Sequence, residues 1–131
     1  MRARRVSELD KLLNSLDPQF VRVTVDLRSG DYARAAQLLR EAGFNQGVAE
    51  ADDGTMCAGG AVVNAVSERL RAEGTVDGVV SIEGATIARD MDLDPRHYGM
   101  VQQWNDEAGR TVDEVVERLE YAAQKLRDAG R

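Results

Sequence analysis

Cys57, His97 and Asn105 occur in the chain order of a Cys-His-Asn arrangement. Cys57 opens an apolar helical stretch, and a thiol at a helix N-terminus meets the positive end of the helix dipole, which lowers its pKa. It is therefore the one candidate nucleophile, and a cysteine-dependent enzyme is one reading of the chain. His97, however, falls on a short helical stretch rather than on a strand facing the thiol. A lone cysteine is in general a small apolar packing residue, so packing is preferred and no catalytic residue is assigned. Asp90, Asp92 and Asp94 match the opening of a calcium loop. The position that should be Gly is Pro95 and the one that should be Glu is Val101, so such a loop could neither turn nor close. One His and one Cys cannot make a zinc set without two carboxylates. The glycines fit neither phosphate-loop spacing. No metal and no cofactor is expected.

The densest run of informative residues is Trp104-Asn105-Asp106 followed by Gly109-Arg110-Thr111. Trp104, the sole tryptophan, is expected as a core anchor. Asn105 tolerates the left-handed turn that would end a helix. Asp106 can accept backbone N–H bonds or pair with Arg110. Thr111 and Glu114 have the spacing of a capping box. Together they predict a helix–loop–helix corner held by polar contacts.

Several elements must position these groups. Val6, Leu9, Leu12, Leu13 and Leu16 predict a helix over about 7–16, ended by Asp17-Pro18. Residues 20–27, FVRVTVDL, alternate as a strand does, with Gly78–Ile82 as its best partner. Asp17-Pro18 also suits a helix start, so strand and helix both fit. Asp31 is read as the cap of a helix with an apolar face at Tyr32, Ala35, Ala36, Leu39 and Ala42, ended by Gly43 in a left-handed turn. A polar loop leads to a helix over 57–73 whose first turn carries Gly59 and Gly60. Two glycines there weaken a helix by about 1 kcal/mol each, which points to a close neighbour. Ser81 to about Met91 and Asp94 to Trp104 read as short helices. The last helix presents Val112, Val115, Val116, Leu119, Ala122, Ala123 and Leu126.

The chain has 131 residues, enough for one domain with its own core. The expected fold is a mainly α bundle of five or six helices with room for a small two-stranded element, its helical core over 31–128. Net charge is −6, unevenly spread: residues 41–94 hold 11 acids and three arginines. Such a chain is a poor direct binder of nucleic acid, which needs clustered cations, although an acidic surface could mimic nucleic acid. The opening MRARR is basic, but acids interrupt the apolar run that a signal peptide requires. No stretch has the ~20 apolar residues of a membrane span, so a cytoplasmic location is expected. Fifteen of the 17 bases are Arg, which points to a GC-rich genome.

The segments AAQLLREAGFNQG, CAGGAV and QQWNDEAGRTVDEVVERLEYAA, over about residues 33–124, resemble a small domain family of unknown function found in actinobacteria and their phages. The positions that carry the resemblance are Gly43, Phe44, Cys57, Gly60, Ala61, Trp104, Asn105, Asp106, Gly109, Arg110, Thr111, Glu114 and Val115. Residues 1–30 lie outside it, and His97 inherits nothing from it. The resemblance implies a compact helical fold and supplies no substrate. The preferred function is a non-enzymatic accessory protein that engages a protein partner or a second copy of itself, in the host cytoplasm if phage-encoded.

Overall fold

A computed structural model describes residues 20–21, 25–75 and 79–131. The helix expected over 7–16 and the basic opening segment lie outside the described residues. The elements in chain order are β1 (Phe20–Val21), α1 (Ser29–Ala42), α2 (Ala58–Ala72), β2 (Val79–Val80), α3 (Gly84–Asp90), α4 (Val101–Asn105) and α5 (Val112–Asp128). The fold is mainly α.

Helices α1, α2 and α5 build the core. α1 lies between the other two and packs on both. Its buried stripe is Tyr32, Ala35, Ala36 and Leu39, at the spacing that places side chains on one helical face. Ala42 is exposed rather than buried. α5 buries Val115, Val116, Leu119, Ala122, Ala123 and Leu126. Val112, the first residue of α5, is 37% exposed and does not join the stripe. Alanines recur along the α1 and α5 faces, which lets the two backbones approach closely.

Asp31 is not the N-cap residue of α1, which is Arg28, but it caps from the third helical position as half of a capping box. It stands in the first turn, where its Oδ2 accepts the Arg28 backbone N–H at 2.9 Å. The same buried carboxylate takes the Arg69 guanidinium at 2.8 and 3.0 Å, tying α1 to α2. At the far end Gly43 has φ 97° and ψ 163°. This is a positive φ without the left-handed turn, so the chain runs on extended and Phe44 bridges to Met56.

Part of the pairing expected of residues 20–27 with Gly78–Ile82 is present, and residues 22–24 and 78 lie outside the described residues. Phe20 and Val21 pair in parallel with Val79 and Val80, while residues 25–28 belong to no strand or helix. α3 begins at Gly84 rather than Ser81: Ser81–Glu83 are not helical, and Glu83, with extended dihedrals of φ −65° and ψ 131°, is its N-cap residue. The helix expected from Asp94 to Trp104 is a turn followed by α4 alone. Asp94 accepts the Arg96 backbone N–H on its side chain and the His97 and Tyr98 N–H groups on its carbonyl. Gly99 follows, and helical structure resumes only at Val101.

Candidate functional site

The three acids of the calcium-like spacing diverge. Asp90 is buried and accepts the Tyr32 hydroxyl at 2.6 Å, and burial together with this carboxylate pushes the tyrosine pKa up. Asp92 turns to Lys125 Nζ at 2.6 Å and to the Tyr121 hydroxyl. Asp94 pairs with Arg96. Three side chains aimed at four different partners form no common cage.

Cys57 and Asn105 come together, and His97 stays apart. Cys57 is the N-cap residue of α2, buried, with Sγ accepting the Gly60 N–H at 3.3 Å. Asn105 is fully buried, and its Oδ1 accepts the next orphan amide of that helix, Ala58 N–H, at 2.8 Å. The His97 side chain is 71% exposed, beside Asp94 and Tyr98.

Asn105 is the centre of the corner. Its Nδ2 donates to the Asn45 carbonyl at 3.2 Å and to Asp106 Oδ1 at 2.9 Å. It sits inside α4 rather than in a left-handed turn, and the helix ends through Asp106 at φ −90°. Asp106 accepts the Gly47 backbone N–H at 2.9 Å. Arg110 turns elsewhere: its Nε donates to the Trp104 carbonyl at 3.0 Å, and its guanidinium pairs with Glu107 and Glu114. The guanidinium lies 4.1 Å from the centroid of the buried Trp104 ring, a cation–π distance. Thr111 accepts the Glu114 N–H while Glu114 accepts the Thr111 N–H, which caps α5. Those bonds to Thr111 hold the Glu114 carboxyl below its usual range.

Sequence reasoning did not place the 44–50 loop against this corner. Gln46 Nε2 donates to the carbonyls of Asn105 and Glu107 at 3.0 and 2.8 Å. With Asn45 and Gly47 it clips the loop to α4 across about sixty residues of chain. The residues Asn45-Gln46-Gly47 close the first segment of the family resemblance, and that was the available signal.

Held in this way, the loop, the first turns of α2, the 82–87 stretch and α4 enclose a cleft of about 290 Å³. Val48, Cys57, Gly59, Gly60, Val63, Ile82 and Ile87 give it an apolar lining. Glu50, Asn64, Gln102 and Asp106 supply its polar groups. No basic residue is among those that line it. The two glycines have their explanation here. A Cβ on Gly60 would lie 2.0 Å from the Ala49 carbonyl oxygen, and one on Gly59 would lie 3.3 Å from Val101. Gly60 lets the loop reach the helix, and the loop forms one wall of the cleft.

A family model described as a family of unknown function, DUF6197, matches residues 24–125. The chain belongs to DUF6197. The match runs from the extended approach to α1 nearly to the end of α5, so the corner, the loop and the cleft all lie within the DUF6197 region. No curated protein and no solved structure matches the chain. Among the described residues, no helix is long and apolar enough to cross a membrane.

Proposed function

We propose that this DUF6197 protein is a non-enzymatic interaction protein whose contact surface centres on the cleft between the 44–50 loop, α2 and α4. The observation that carries the reading is the cleft's apolar lining, with its rim side chain Val48 half exposed to solvent. Met100, 45% exposed, stands on the same side, its methyl group beside Gly84 and Gln102. Large apolar side chains in the open around an apolar depression are the anatomy of a protein contact. The acidic stretch 41–94 adds long-range attraction for a basic surface. The arginine-rich base content fits a GC-rich genome, and the family resemblance supports an actinobacterial or phage origin, with a role as a factor acting on a host protein from within the host cytoplasm.

The test places a photo-crosslinking residue at position 48 or, on α5, at position 121, in the full chain expressed in its native host. Position 48 should yield a discrete adduct, either a host protein or a second copy, and position 121 should not. A strict monomer by light scattering that gives no adduct from position 48 would overturn the reading.

A further inference from the structure

Charge pairing is uneven over the described surface. Away from the cleft, Asp31, Asp92, Glu68, Glu73, Glu107, Glu114 and Glu120 each meet a cation. Glu50 and Asp106 line the cleft, yet neither forms an ion pair among the described residues. Asp52 and Asp53 follow Glu50 in the same loop, and Glu83 follows Ile82. They too have no cation partner among the described residues. The carboxylates beside the depression, like Asp26, Asp113, Glu117 and Asp128 elsewhere on the described surface, thus stay unpaired among the described residues, and the cleft's lining holds no cation to offset them.

The polar side chains inside the cleft are amides. Asn64 spends its Nδ2 on the Met56 sulfur at 3.1 Å, which leaves its carbonyl oxygen as an acceptor. Gln102 is exposed, and among the described residues its side chain makes no hydrogen bond. Each amide matches a peptide group, which carries one donor and one acceptor. The cavity lies near the lower limit of small-molecule sites, which run from about 300 Å³ upward. A depression of that size suits one side chain of a larger partner.

We infer that the cleft takes a basic segment of a protein partner, an aliphatic side chain seated on Val48, Val63, Ile82 and Ile87 with a neighbouring Arg or Lys on Glu50. This rests on the interaction reading and names the chemistry of the partner. Gln102 and Asn64 hydrogen-bond the segment's backbone. The carboxylates of the loop steer it in, and binding weakens with salt.

The test pans a random heptapeptide display library on the full-length chain and titrates the enriched peptides by amide NMR. Enriched sequences should join an aliphatic residue to Arg or Lys. They should shift the amides of Val48, Glu50, Gly59, Gly60 and Gln102. Glu50→Lys should weaken binding about tenfold or more, the sign expected when like charges are brought together. Glu50 is exposed and unpaired among the described residues, so the variant should melt as the parent does, and Glu50→Gln should fall between the two. No enrichment, or enriched peptides that are acidic, would overturn the inference. Indifference to Glu50→Lys would do the same. Equally strong binding of n-butylamine at the same amides would reassign the cleft to a small cationic molecule. Uncharged peptides that shift the cleft amides would remove the basic segment while leaving the interaction reading standing. A strict monomer that gives no adduct from position 48 removes the interaction reading itself.

Discussion

Gly60 shows how much one missing methyl group can decide. A Cβ there would overlap the Ala49 carbonyl oxygen, a backbone atom that cannot rotate aside. Gly60→Ala should therefore push the 44–50 loop off α2 and cost about 3 kcal/mol, at the upper end of overpacking penalties. Gly59→Ala meets a Val101 methyl at 3.3 Å as its tightest contact, with Gln102 Nε2 at an ordinary 3.6 Å. It also gains up to about 1 kcal/mol of helix propensity, so it should be close to neutral. Urea denaturation of the two variants checks the contrast, and equal stability would remove the close-approach argument. Asn105 is the polar counterpart. Asn105→Ala would leave the buried Ala58 N–H without its acceptor and release the Asn45 carbonyl. The expected loss is about 1–3 kcal/mol, the usual penalty for a stranded buried group. Faster amide exchange should appear at Ala58 and along residues 45–47, and unchanged exchange there would refute the role. The types of these residues were plain in the sequence. Their partners, 11 positions away for Gly60 and about forty to sixty for Gly59 and Asn105, were not, because a single chain pattern carries no information on which loop meets which helix.

At the scale of elements, legibility followed the length of the apolar repeat. α1, α2 and α5 each bury a stripe long enough for periodicity to speak, and their bounds fell within about three residues of the expected ones. The 94–104 stretch misled because Asp94-Pro95 carries a genuine helix-start signal. The Asp94 side chain and carbonyl satisfy the next amides in a closed turn instead, and Gly99 offers no continuation. Residues 20–27 alternate as a strand does, and among the described residues of that run Phe20 and Val21 pair with Val79 and Val80 while 25–27 join no strand. The capping box of α5 was readable because its contacts lie three residues apart. Thr111→Ala should remove one half of it and cost about 1 kcal/mol. Glu114 would then lose a bond that holds its carboxyl low, and its pKa should move back toward the ordinary value. Thermal melts and an NMR titration of Glu114 check both effects. A variant with parental stability and an unmoved Glu114 would show the cap to be idle.

For the whole molecule, acid is the condition that acts on several joints at once. Asp92, Asp94, Asp53 and Glu114 all have carboxyl pKa values held below their ordinary range, each chiefly by a hydrogen bond. At Asp92 the first cause is Lys125 and the second is the Tyr121 hydroxyl, both from α5. Asp92 stands at φ 54° where the chain leaves α3, so its carboxylate joins that exit to α5. A carboxyl whose folded pKa is depressed adds stability that is complete above its unfolded pKa, about 4 for these residues. That stability is lost as pH falls through the folded value. Melting temperature should accordingly be flat from neutrality to about pH 5 and drop below about pH 4. Lys125→Met keeps the length of the side chain and removes its charge. It should lower the melting temperature at pH 6 by a small amount, because the pair is partly exposed and screened. The gap between variant and parent should close toward pH 2, where Asp92 is protonated in both. A gap that stayed constant across that range would mean that Lys125 contributes through its methylene packing alone and that the α3–α5 joint is not electrostatic.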